Sequence, residues 1–469
     1  MARRGRTPLL LLTIALLFSV CSGVREARAT STGTTTQLYV ADFGAIGDGI
    51  HDDTDALNAA FQAVSGYEGI VEVHLHGGTY LVDQTKGLKI RANTYVVGSD
   101  GATIQANPSL FGWTLADIYG NNTTITGIRF DGNNAVNRVL AIQPGSSHTS
   151  ILHSIVENAS QPNDSNSPYY KQIVVGVMIY GNTEYITIDH STIRNISALH
   201  GNGSAISRGV YVTVTYNSNE ALGRYVAITN NHIHHISPAD DADGIFYQIG
   251  DWLTTNNYDV HGLIYNNTFD NTAKRAVKLQ ANGITVDSNT IINSYRNNNY
   301  YLIANNGVLA SDMYSGISVY GNNTTVTNNT IAGIGSYYAG IELSASGVIH
   351  NTTIANNSVS NDVYSNVNGT SGIRIGYVSN FTISSNKVNH FINSIWTWQN
   401  ADSGLIADNQ ITAPHPNGNG IVVATYVSGM VQHDILVSGN RGTVGNLGIN
   451  IQPSNYNIWT SNNSIVKVP

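Results

Sequence analysis

The chain has 469 residues, 41% of them apolar and only 11% charged, with 46 glycines and 10 prolines. So few charges exclude a coiled coil and a charge-driven disordered chain, and the glycines follow no collagen period. The formal charge of −8, with no basic run, argues against nucleic acid or an anionic membrane surface as partner.

In chain order, the first predicted element is a leader. Arg3, Arg4 and Arg6 precede an apolar run from Leu9 to Val20, too short to span a bilayer. Ala27-Arg28-Ala29 has the small-x-small form of a cleavage site, so residues 1–29 are expected to be a signal peptide. Cleavage would remove Cys21, the only cysteine, together with five arginines and Glu26. The formal charge would then be −12 (17 positive, 29 negative). The mature chain is expected outside the cytoplasm, without a disulfide and without a membrane span. Residues 30–36 read as a short linker, and 37–469 as one domain whose cap occupies 37–66.

That cap is LYVADFGAIGDGIHDDTDALNAAF (38–61): a strand, a Gly-rich turn at Gly44, Gly47 and Gly49, and a helix from Asp53 to Val64. Asp52 or Asp53 would cap the helix, and Leu57, Phe61 and Val64 form its apolar face. The segment VADFGAIGDGIHDDTDALNAAF resembles the opening motif of the pectate lyase superfamily, shared by polygalacturonase-like hydrolases, mannuronan C5-epimerases and phage tailspikes. The resemblance covers about 25 residues and implies an all-β, right-handed, single-stranded parallel β-helix with a capping helix at its N-terminal end. It also implies a polysaccharide as partner. Chemistry varies within the superfamily, so the resemblance does not choose a reaction.

The remaining chain repeats. ITNNHI (228–233), IYNNTF (264–269), VDSNTI (286–291), VTNNTI (326–331), IANNSV (354–359), ISSNKV (383–388) and IADNQI (406–411) share one pattern, with VSGNRG (437–442) and TSNNSI (460–465) as its last two forms. The shortest steps, 22 and 23 residues, are the period of one β-helix coil. Asn231, Asn267, Asn289, Asn329, Asn357, Asn386, Asn409, Asn440 and Asn463 hold one position in successive repeats. Coils stack ~4.8 Å apart, so these amides are expected to form a ladder at a corner, where asparagine also tolerates a left-handed backbone.

A second strand recurs as GVMIY (176–180), GVYVT (209–213), GIFYQ (244–248), AVKLQ (276–280), GISVY (316–320), GIELS (340–344), GIRIG (372–376) and SIWTW (394–398). With Ile245, Val277, Ile317, Ile341, Ile373 and Ile395 turned inward, alternation puts Phe246, Lys278, Ser318, Glu342, Arg374 and Trp396 in an outward column. Arg208, Asp243, Arg275 and Ser315 lie two residues before the inward position. Strict alternation would bury them in the core, but they precede a Gly or Ala at a corner, where alternation is expected to fail and turn them out. Insertions before this strand (156–175, 194–208, 234–243, 292–315) and after it (217–223, 251–258) are expected to wall a groove along the solenoid axis. The outward column is its floor.

The candidate chemistry lies in SPADDADGIFYQ (237–248) and AKRAVKLQ (273–280). Asp243, Arg275 and Lys278 are the candidate catalytic residues. Arg208, Tyr320, Glu342, Arg374, Trp396 and Trp398 are candidate substrate contacts, and Asp240 and Asp241 candidate Ca²⁺ ligands. In β-elimination from a uronate, Lys278 would be the base, since arginine stays protonated, and Arg275 would neutralise the carboxylate. C5-epimerisation shares that intermediate. Glycoside hydrolysis needs two carboxylates, Asp241 with Asp243 or Asp243 with Glu342. The Gly-His-Gly of polygalacturonases and the Asp-Pro-His of epimerases are both absent, and Arg275-Ala-Val-Lys278 has one residue more than Arg-x-Lys. A glycan-binding protein without turnover is the fourth reading. His232 and His234 share a face as a metal pair would, with no third ligand evident. Tyr295, Tyr300 and Tyr301 are further candidates for stacking on sugar rings.

Overall fold

Alternating apolar residues, interrupted by asparagine corners, wind the chain into a right-handed parallel β-helix. The computed structural model describes residues 35–199, 206–215, 220–237, 241–248, 258–292, 315–333, 339–343, 347–361, 370–425 and 427–468, without the side chain of Asp241. Residues 1–36 and 37–469 form separate units. The predicted signal peptide lies outside the described residues, as does the linker except for residues 35 and 36.

Among the described residues, the coils stack into three sheets of 15, 15 and 13 strands, and every coil but the first and the last gives one strand to each. Sheet A leads into the asparagine corner, sheet B follows it, and sheet C carries the second repeated strand. Every pairing is parallel and joins one coil to the next. In sheet C, Ile245, Val277, Ile317, Ile341, Ile373 and Ile395 stack in register, each with no exposed surface. Burial of such a side chain is worth about 1.5–3 kcal/mol, and a rod this thin has nothing else at its centre.

Helix Thr54–Ala63 takes the place of the sheet C strand in the first coil. Leu57, Phe61 and Val64 are buried against the first coils, as their spacing predicts. Asp53 holds the N-cap position without a side-chain bond to the helix, and the carboxylate of Asp52 before it accepts the Thr54 N–H at 3.0 Å. Asp53 instead accepts the N–H groups of Ile46 and Gly47 at 2.7 and 3.0 Å and pins the Gly-rich turn.

The nine asparagines form one unbroken ladder. Each Nδ2 donates to the Oδ1 of the next rung at 2.9–3.0 Å, from Asn231 through Asn463. That oxygen also accepts the backbone N–H of the previous rung, as Asn357 does from Asn329 at 2.9 Å. One part of the expectation is corrected. The left-handed residue is the one before the ladder: Asn230, Asn266, Ser288, Asn328, Asn356, Ser385, Asp408, Gly439 and Asn462. The side chain of a left-handed residue projects out of the corner, so the following residue is the one aimed inside to meet its copies.

Candidate functional site

The site is built on the outer face of sheet C, where alternation breaks as expected. A Cβ on Gly209 would lie 2.5 Å from the Gly244 carbonyl oxygen and 3.0 Å from Ile233, and one on Gly244 2.6 Å from the Ala276 oxygen and 2.8 Å from Phe269. These positions therefore face the packed interior, as does the residue after each. The residue before is turned out. Arg208, Asp243 and Arg275 thus lie in register on the outer face of three successive coils.

They form a triad. Arg275 Nη1 donates to Asp243 Oδ1 at 3.1 Å, and Arg208 Nη1 lies 3.1 Å from Asp243 Oδ2 as an ion pair while it donates to the Ser207 carbonyl at 3.0 Å. The three side chains are 2%, 0% and 0% exposed. Burial of charges such as these is tolerable where they are paired, as Asp243 is with both arginines. Arg208 also lies 4.8 Å from the Phe246 ring centre.

The outward column is confirmed as one register: Phe246, Lys278, Ser318, Glu342, Arg374, Trp396. The expectation that this floor is open is corrected. Ser318, Glu342, Phe246, Trp396 and Arg374 are 0 to 7% exposed, and Lys278 is the half-buried exception. Toward the N-terminus the same face carries a small apolar cluster of Ala141, Val175, Met178, Tyr180, Tyr211 and Phe246, separate from the main core. An apolar patch on a solenoid's outer surface gains by being covered.

Lys278 Nζ lies 4.5 Å above the Phe246 ring. Arg374 lies 4.0 Å from the Trp398 ring and 5.3 Å from that of Trp396. Trp396 also donates its indole N–H to the Ala424 carbonyl at 2.9 Å. Trp396 is thus packed within the protein and is no platform for a sugar. Trp398 and Tyr320 remain half-buried at the rim of the face.

Glu342 stands three coils from the Asp243 coil and in the neighbouring column. Both carboxylates of that pair are buried. Asp240 and the side chain of Asp241 lie outside the described residues. So do most of the insertions 292–315 and 251–258, with Tyr295, Tyr300 and Tyr301. Among the described residues no cluster of three metal-capable side chains occurs. His232 and His234 do share a face, with ring centres 4.2 Å apart.

Sequence reasoning missed Lys274, which is 1% exposed. Its only signal is a lysine at a position that the preceding coils fill with Val174, Ser207 and Ala242. It also missed Arg138, two coils before Arg208 in the same column.

The family model described as right handed beta helix region matches residues 315–469. Plasmin and fibronectin-binding protein A of Streptococcus pneumoniae is 38% identical over 79 residues, 16% of this chain and 11% of that protein. Mannuronan C5-epimerase AlgE3 of Azotobacter vinelandii is 36% identical over 109 residues, 20% of this chain and 6% of that protein. The matched stretches therefore span about a tenth or less of these curated relatives. Among solved structures, the A-module of mannuronan C-5 epimerase AlgE6 of Azotobacter vinelandii superposes over 92% of this chain and all of its own, with TM-score 0.54 and 16% identity. The tailspike of E. coli bacteriophage HK620, in complex with a pentasaccharide, superposes over 90% of this chain and 80% of its own, with TM-score 0.62 and 12% identity. Identities this low speak for the fold alone. Coil architecture, family model and structural neighbours agree on the fold: the chain is a right-handed parallel β-helix, and over residues 315–469 it matches the right handed beta helix region model.

Proposed function

We propose that the protein acts outside the cytoplasm on a uronate-containing polysaccharide, by β-elimination, with Lys278 as the base. The observation that carries this reading is the contrast in access along the floor. Among the described side chains around Lys278, the carboxylates Asp243 and Glu342 are buried at 0% and 1% exposure, while Lys278 reaches the surface. Hydrolysis requires accessible carboxylates on both sides of the bond; elimination requires a base and fixed positive charge.

In the proposed step, Lys278 removes the proton beside the uronate carboxyl group. The C–H electrons form the new ring double bond, and the glycosidic oxygen leaves and takes a proton. Arg208 and Arg275, paired with Asp243, are positioning residues beneath the developing enolate. The epimerase relatives support the reading through chemistry, since inversion at C5 begins with the same proton abstraction. A second reading, glycan binding without turnover, is favoured by the half-buried rings of Trp398 and Tyr320 at the rim of the face.

The test is incubation with a panel of polysaccharides, following unsaturated-product absorbance and reducing ends separately. Elimination raises both together, and Lys278→Ala abolishes the absorbance while binding persists. Reducing ends without absorbance would replace elimination by hydrolysis. Inverted C5 centres without cleavage would replace it by epimerisation. Retention without either change would leave the binding reading.

A further inference from the structure

Away from Lys278, the N-terminal part of the same face is open. Lys89, Asp117, Ala141, Met178, Tyr211, Phe246 and Lys278 follow one another in register, one per coil. Asp117 is therefore five coils, about 24 Å, from Lys278, with the covered apolar cluster between them.

Around Asp117 the side chains have a different character. Trp113 and Tyr119, at the two ends of strand Gly112–Ile118, are 36% and 37% exposed. The Arg138 guanidinium lies 4.1 Å over the Trp113 ring and also bonds the Tyr180 hydroxyl, so the indole is held in place while part of it stays in solvent. Tyr169 tilts against the same indole, with centres 6.0 Å apart. Asp117 accepts the Gln143 amide N–H at 2.7 Å. Ala141, the next residue in the column, is covered, so the open part of the face ends there. Burial raises the Asp117 carboxyl above its usual range, against the Gln143 bond and the Arg138 and Lys89 charges that act the other way. Such a carboxylate gains from further donors, and it stands between two exposed rings.

We infer that this surface is a second glycan-contacting site, which takes a pyranose unit by its apolar face on Trp113 or Tyr119 and by its hydroxyls on Asp117 and Gln143. Adjacent hydroxyls donate to a carboxylate and exchange bonds with an amide, and a sugar ring's C–H face packs on an aromatic one. The inference rests on the proposed function and adds a length requirement to it. With coil spacing close to one sugar unit, a chain of about six units reaches both Asp117 and Lys278, and a trisaccharide reaches one of them.

The test is affinity electrophoresis in gels containing the polysaccharide that best retards the wild-type protein, with Trp113→Ala, Tyr119→Ala and Asp117→Asn. Tyr456→Ala serves as control, since Tyr456 is 52% exposed in a strand of the last coil. Trp113→Ala is expected to weaken retardation about tenfold, Tyr119→Ala and Asp117→Asn several-fold, and Tyr456→Ala not at all. Thermal midpoints close to wild type separate lost contact from lost folding, and Tyr119→Ala provides an aromatic deletion without loss of the Arg138 stack. A hexasaccharide should bind the wild-type protein at least tenfold more tightly than a trisaccharide. Wild-type retardation by Trp113→Ala and Tyr119→Ala, or equal affinity for both lengths, would overturn the second site and leave the Lys278 proposal standing. A wild-type protein that no glycan retards and that yields no product would overturn both.

Discussion

Replacement of Asn329 by alanine removes one rung from the middle of the ladder. Its Nδ2 donates to Asn357 Oδ1 at 2.9 Å and to the Val286 carbonyl at 3.0 Å, and its Oδ1 accepts the Asn289 N–H at 2.9 Å and Asn289 Nδ2 at 3.0 Å. The residue has no exposed surface, so water cannot replace these partners without opening the corner. Four bonds at about 1 kcal/mol each give about 4 kcal/mol. Asn289 Nδ2 retains the Ile264 and Asp287 carbonyls, which lowers the cost, while the buried Asn289 N–H loses the acceptor it had in Asn329, which raises it. The left-handed backbone belongs to Asn328, so alanine at 329 adds no conformational penalty of its own. The expected loss is therefore about 3–5 kcal/mol, read from the denaturation midpoint at unchanged slope. Because coils couple mainly to their neighbours, amide exchange should accelerate in the coils of Asn289 and Asn357 before the first coils. A loss below about 1 kcal/mol with exchange unchanged around 286–291 would refute the ladder as a source of stability.

Two further outcomes follow from buried charge. Asp243→Asn leaves Arg208 and Arg275 facing each other without their shared anion and should cost about 3–5 kcal/mol. The triple variant Arg208→Met, Asp243→Leu, Arg275→Met should recover most of that stability without activity, which denaturant titration and the absorbance assay together would show. The His234 imidazole is pushed down to about 4 by burial and by the neighbouring His232 and His235 charges, against the pull of Asp270. Its unfolded form takes up a proton near pH 6.5 while the folded form resists, so stability is complete above that pH and falls as pH drops toward 4. The difference in denaturation midpoint between wild type and His234→Gln should shrink across this window; a constant difference would reject the coupling.

The parts of the fold legible in the sequence are those in which every coil needs the same residue for the same reason. Isoleucine and valine fill the narrow interior at 245, 277, 317, 341, 373 and 395, and asparagine offers two donor hydrogens and an acceptor on one short side chain at each rung. The outward turn of Arg208, Asp243 and Arg275 was also legible, because a small residue follows each. Cover was not. Alternation says which way Glu342 and Trp396 point, but whether an outward side chain meets water depends on segments distant in sequence. Nor did propensity anticipate Tyr185 and Tyr225, which hold left-handed corners usual for asparagine. Their rings stack on each other 4.8 Å apart, and His148 and His261 extend the stack at 4.8 and 5.1 Å. Contact between coils there offsets a local strain of about 1–2 kcal/mol.

The ladder also bears on how such a chain can change over generations. Consecutive rungs are separated by as few as 22 residues, between Asn267 and Asn289, or as many as 40, between Asn289 and Asn329, and both pairs close at 3.0 Å. What lies between two rungs is therefore free in length, provided that a whole turn is completed. Unequal crossing-over from one rung codon to another would add or delete a full coil and rejoin matching ends. The rod can be lengthened, shortened or given a new insertion in a single genetic event, without redesign of its interior.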